Sequence, residues 1–182
     1  MDTGDQSNLG RALVNCLILL SAGAAAIHFA VIADHFDEWW AYGVFFAVAA
    51  WLQILWAIAL GASVSRWLLL AGLVGNTIVV AVWAISRTSG FPVGPHAGTA
   101  ESVAFIDVLA TSLEVLIVAG SLLLLRSSAG RRRVRAHVVA VTTVATALIV
   151  VPLTTAAIAF VSVPDKGSDV FHETPSHQTP HR

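Results

Sequence analysis

Two pairs of ionisable residues share one spacing. His28 and His35 stand seven apart in AAIHFAVIADHFDEWW, residues 25–40, and Asp107 and Glu114 stand seven apart in IDVLATSLE, residues 106–114. In an α-helix seven residues make nearly two turns, so the members of each pair lie on one face, about 10 Å apart at 1.5 Å rise per residue. Neutral imidazole with carboxylate is a ligand set for zinc, copper, iron or manganese. It equally suits proton relay, because both groups can titrate close to neutrality in apolar surroundings. The signal is less specific than HExxH or paired CxxC would be, and neither occurs here.

The elements that carry these pairs must be membrane helices. The 182-residue chain is 57% hydrophobic and only 12% charged, which excludes an ordinary soluble domain. Apolar runs of about 20 residues match the thickness of the hydrocarbon core, and five are present: roughly 12–33, 40–60, 67–86, 103–125 and 137–163. No alternation of period two persists within them, which disfavours a β-barrel and leaves helices to satisfy the backbone in lipid. The expectation is an all-α integral membrane protein, a bundle of five transmembrane helices between a short N-terminal segment, 1–11, and a polar tail, 164–182. SAGAAA (21–26) resembles a cleavage site, but the apolar run continues past it, so the first helix is read as retained. Cys16, the only cysteine, excludes an intrachain disulfide and reads as a small packing residue.

Basic residues set the orientation. With the N-terminus in the cytoplasm, Arg11, Arg66, Arg126, Arg131, Arg132, Arg133 and Arg135 fall inside, leaving Arg87, Lys166 and Arg182 outside. Five crossings then put the C-terminus outside the cytoplasm. The net charge of −1 offers no hint of nucleic acid, and the RRRVR run at 131–135 is explained by topology.

An ionisable group in hydrocarbon costs about 3 kcal/mol on insertion scales, so each intramembrane one is a functional candidate. Counted from the outer helix ends, His28 lies about 12 Å deep, Glu114 and Asn76 about 16 Å and Gln53 about 20 Å. These form an inner polar tier from four helices. His35 and Asp107 form an outer one, within reach of Asp34, Arg87, His96 and Glu101. The plainer readings are an interhelical hydrogen bond for His28 with Glu114, packing contacts for Gln53 and Asn76, and an interfacial residue for His35. Asp34, Asp37 and Glu38 read plainly as a solvated loop, and Arg87 as a snorkelling side chain.

Between the third and fourth runs, SRTSGFPVGPHAGTAES (86–102) is broken by glycines and prolines and carries His96 and Glu101 over the proposed cavity as a lid. This segment, with the flanking GNTIVVAVWAI and VAFIDVLATSLE and with AAIHFAVIADHFDEWWAYGVFFAVAAWLQ, resembles a group of small multi-pass membrane proteins from actinobacteria. The resemblance covers the first four helices. It implies a bacterial inner-membrane location and no particular reaction. The tail repeats HETP and HQTP, and His172, His177 and His181 give a disordered segment able to capture transition metals weakly or to serve as an inert polar tail. Pro152 should kink the fifth helix, which is expected to pack outside the other four.

The function expected first is a membrane-embedded transition-metal site, for copper, zinc or iron, open to the extracytoplasmic side. Its ligands would be His28, His35, Asp107 and Glu114, helped by His96 or Glu101, with Gln53, Asn76, Arg87 and Asp34 around them. Catalysis there depends on an open coordination position. The alternatives are a noncatalytic accessory or assembly subunit, alone as a homo-oligomer or in a larger membrane complex, and a small proton-coupled transporter. A haem protein ranks below these, since His28 lacks a second axial histidine at matching depth. Nucleotide-binding glycine patterns and Ser/His/Asp groupings are absent from the sequence.

Overall fold

The computed structural model describes residues 4–127, 146–152, 154–156 and 158. Every regular element among them is helical. The helices are α1 (Gly4–Glu38), α2 (Trp40–Ala62), α3 (Arg66–Thr88) and α4 (Phe105–Ser127). Each contains a stretch long and apolar enough to cross a membrane, so the protein has four such helices among the described residues. They lie over the first four apolar runs. The main difference is α1, which continues through Glu38 and thus holds Asp34, Asp37 and Glu38 in its exposed last turns rather than in a loop. A single residue, Trp39, separates it from α2.

The helices associate through small residues, as they must where lipid removes the hydrophobic drive between helices. On α1, Leu17, Leu20, Ala24, Ile27 and Val31 form one buried face at spacings of three and four, with Ser21 and His28 in the same stripe. On α4 the matching stripe is Ala110, Leu113, Ile117 and Ser121, with Glu114 beside them. Gly120 brings α4 close to Leu17, and a Cβ added there would stand 2.7 Å from a Leu17 methyl. Gly43 of α2 receives the Phe36 ring, and Gly72 of α3 receives the Trp56 indole.

The order around the bundle is α2, α1, α4, α3, and the circle is not evenly closed. α1 packs extensively on α2 and α4, and α3 on α4, but α2 and α3 touch little. The hydrogen bonds joining those two lie between mid-span and the ends that the 63–65 turn connects. There Trp56 Nε1 donates to the Leu68 carbonyl at 2.7 Å, and Gln53 meets Asn76. Ser65 caps α3 by accepting from the Leu68 N–H. Toward their other ends the two helices separate, leaving a wedge beneath the 89–104 loop.

That loop is a folded piece of chain. Gly90, Gly94 and Gly98 all have φ between 70° and 107°, where other residues are strained. Their conformations let the loop double back, so that Gly98 N–H donates to the Phe91 carbonyl at 2.7 Å and Glu101 N–H to the Ser86 carbonyl at 3.0 Å. Phe91 lies against Tyr42, and Gly94 passes over Trp39 and Tyr42, so the loop reaches from α3 and α4 across the wedge to α2.

An apolar helical segment, Thr146–Ala156, lies along α1. Thr146 meets Cys16 at 3.2 Å, and Val150 and Thr154 stand beside Gly23. Val150 joins the same buried cluster as Leu17 and Ile117, while Leu148, Ile149 and Val151 are exposed, so this segment lies against the bundle by one face. Apart from residue 158, the remainder of the 137–163 run, the RRRVR segment and the tail with His172, His177 and His181 lie outside the described residues.

Candidate functional site: a cavity at the loop end of the bundle

The wedge encloses a cavity of about 370 Å³ lined by all four helices and by the loop. Six aromatic residues contribute to its walls: Trp39, Tyr42, Phe45, Phe46, Trp83 and Phe91. The heptad-spaced stripes of α1 and α4 face each other across it, which brings the sequence-predicted pairs to its floor and rim.

At the floor, His28 Nε2 lies 2.9 Å from Glu114 Oε1. Both side chains are almost inaccessible to solvent, at 4% and 1% exposure. A carboxylate so placed has lost its hydration, and the imidazole supplies the hydrogen bond that offsets part of that loss. Phe46 stands above this pair, 5.6 Å between ring centres from His28 and 4.0 Å from His35.

At the rim, Arg87 is the hub. Its Nη1 donates to Glu101 and its Nη2 to Asp107 at 2.6 Å. Asp107 also accepts from the Ala104 N–H, which fastens the first turn of α4. One guanidinium thus ties the end of α3, the close of the loop and the start of α4 together. Its Nε, and Nε1 of neighbouring Trp83, are buried donors without a hydrogen-bond partner.

The predicted residues therefore fall into separate groups. His28 and Glu114 meet. Asp107 and Glu101 meet through Arg87. His35 lines the cavity but its Nδ1 donates to the Val31 carbonyl, one turn back on its own helix, at 2.8 Å. Gln53 and Asn76 belong to a different network, in which Ser21 donates to Gln53, Gln53 Nε2 donates to Asn76 Oδ1 at 2.8 Å and Asn76 Nδ2 donates to the Gly72 carbonyl. That network joins α1, α2 and α3 without lining the cavity. His96 is exposed on the loop, and Asp34 is exposed on α1. Among the described residues no three His, Cys, Asp or Glu side chains gather as a metal site requires.

Three contributors had no distinguishing mark in the sequence. Phe46, Trp83 and Ser21 read as ordinary residues of apolar runs. Only the position of Trp83, four before Arg87 on the same helical face, could have hinted at a shared cavity.

The fold and site define an all-helical protein with multiple membrane-spanning helices and a polar-floored aromatic cavity at one end. No protein-family profile matches the chain, and no curated protein or solved structure matches it either.

Proposed function

We propose that this protein binds a small lipid-soluble molecule in the aromatic cavity, with the His28–Glu114 pair as its polar anchor. The observation that carries this reading is a cavity of about 370 Å³, aromatic-walled, that ends on a buried imidazole–carboxylate pair. Pockets of this size, apolar with a few convergent polar groups, are where proteins hold small ligands. Access supports solubility in lipid: the loop covers the cavity's end, and the route left into it runs between α2 and α3, helices that touch little. The resemblance to actinobacterial membrane proteins implies a bacterial inner membrane, the apolar runs give five crossings, and the distribution of arginines argues for a cytoplasmic N-terminus and an extracytoplasmic loop.

The test uses N-phenyl-1-naphthylamine, a neutral fluorescent aromatic, with protein in lipid nanodiscs. Saturable fluorescence enhancement is expected for the wild type and its loss for Ala110→Phe, which fills the cavity from α4. Equal enhancement in both, with both folded by circular dichroism, overturns the reading.

A second reading is a transition-metal site, favoured by His28, His35 and Glu114 lining one cavity. Here Nε2 of His35 would join a metal that replaces the His28–Glu114 hydrogen bond. Elemental analysis of protein truncated after Asp165, beside a His28→Ala/Glu114→Ala variant, separates the two. Near-stoichiometric copper, zinc or iron lost in the variant supports the metal. No metal in either sinks it.

A further inference from the structure

The charges around the cavity are unbalanced. One guanidinium, Arg87, stands against three carboxylates, Glu101, Asp107 and Glu114. Whichever side of the His28–Glu114 hydrogen bond holds the proton, the formal total stays negative while His35 is neutral. Glu101 and Asp107, at 34% and 22% exposure, are partly screened by solvent, but Glu114, at 1%, is not, and negative charge held there is costly unless an occupant of opposite sign relieves it.

The walls have the same preference. Six aromatic side chains surround the space, and their ring faces carry negative electrostatic potential that attracts cations, more strongly once water is excluded. Phe46 is especially placed, since its ring lies tilted against both histidines, one of which is bonded to Glu114. Arg87 does not reverse this, because its single charge is already counted and both of its terminal nitrogens are engaged by Glu101 and Asp107, which leaves Nε as its buried donor without a partner. An anionic headgroup would find only Arg87, through its unpartnered Nε, against the three carboxylates that line the same cavity.

Resting on the binding reading above, we infer that the ligand is a lipophilic organic cation, a quaternary ammonium, phosphonium or protonated amine with apolar substituents. Its charge lies against the aromatic rings and within the field of Glu114. Its apolar groups fill the space between α2 and α3.

The experiment displaces bound N-phenyl-1-naphthylamine in nanodiscs with three molecules of related shape: tetraphenylphosphonium, tetraphenylborate and neutral triphenylphosphine oxide. The phosphonium is expected to displace at about a tenfold lower concentration than the oxide, and the borate to displace least. Glu114→Gln should reduce the preference for phosphonium over oxide to about twofold or less while the naphthylamine still binds. Asp107→Asn provides the same readout at the rim if Glu114→Gln fails to fold. Displacement by the oxide or the borate as effective as by the phosphonium, or a preference unchanged in the folded charge-removing variant, overturns the cation inference and leaves the binding reading standing. Absence of saturable naphthylamine binding in the wild type overturns both.

Discussion

At the scale of single residues, the cavity depends on two polar clusters held by different means. The His28–Glu114 pair is buried and isolated, so removing one partner leaves the other without its hydrogen bond. His28→Ala should cost about 2 kcal/mol, and the His28→Ala/Glu114→Ala double variant less than the sum of the singles by about 1 kcal/mol. Unfolding titrations in mixed micelles measure this, and additive losses would show that the two side chains do not interact. Arg87 is a different case because Glu101 is about one-third exposed. Solvent screening reduces the value of that contact, so Arg87→Gln should cost only about 1–2 kcal/mol. Its more specific effect should be on the loop: limited proteolysis between 89 and 104 is expected to accelerate, since the tie between α3, Glu101 and α4 is gone. Unchanged cleavage would mean that the glycine turns alone hold the loop. The pairing at the floor was legible in the sequence, because depths within about one helical turn of each other follow from helix rise alone. The commitment of His35 to the Val31 carbonyl was not, since a histidine's rotamer depends on neighbours such as Phe46 that periodicity does not locate.

At the scale of elements, the wedge exists because α2 and α3 are pinned at one end and bridged by the loop at the other. The pin is Trp56 lying on Gly72. The bridge needs Gly90, whose φ of 70° and approach to the Thr99 backbone leave no room for a Cβ. Gly90→Ala should therefore destabilise the protein by about 1–2 kcal/mol and weaken naphthylamine binding, because the loop can no longer lie across Tyr42. A Ser102→Ala substitution, at an exposed position in the same connection, serves as the control that should change neither. Equal stability of Gly90→Ala and wild type in thermal scans would show that the loop tolerates another path. The positions of the four helices were readable from apolar run length, and the loop from its glycines and prolines. The uneven closure of the bundle was not readable, because it arises from where two glycines admit aromatic rings, and neither Gly43 nor Gly72 differs in sequence from a glycine that meets nothing, such as Gly75.

At the scale of the whole molecule, the reading depends on which end of the bundle faces out, and one residue makes this measurable. Cys16 is the only cysteine, and it contacts Thr146 on the far side of α1 from the loop end. In a Cys16→Ser background, a cysteine introduced as His96→Cys lies exposed on the α3–α4 loop, and one introduced as Val64→Cys lies exposed at the opposite turn. When the N-terminus is cytoplasmic, the sequence assigns seven of the ten basic residues to the inner side, among them Arg66, which adjoins the turn that carries Val64, a bias that positions short loops inside. A membrane-impermeant maleimide applied to intact spheroplasts should therefore label the loop position and spare the turn, with both labelled after lysis. The reverse pattern would turn the cavity toward the cytoplasm, and a lipophilic cation would then be met from the inner leaflet. Since the membrane potential is negative inside, cations concentrate on that side, and the same cavity would face a larger supply of ligand. Orientation thus decides which leaflet delivers the ligand, while the aromatic walls and the excess of carboxylates, fixed by the fold, decide what it accepts.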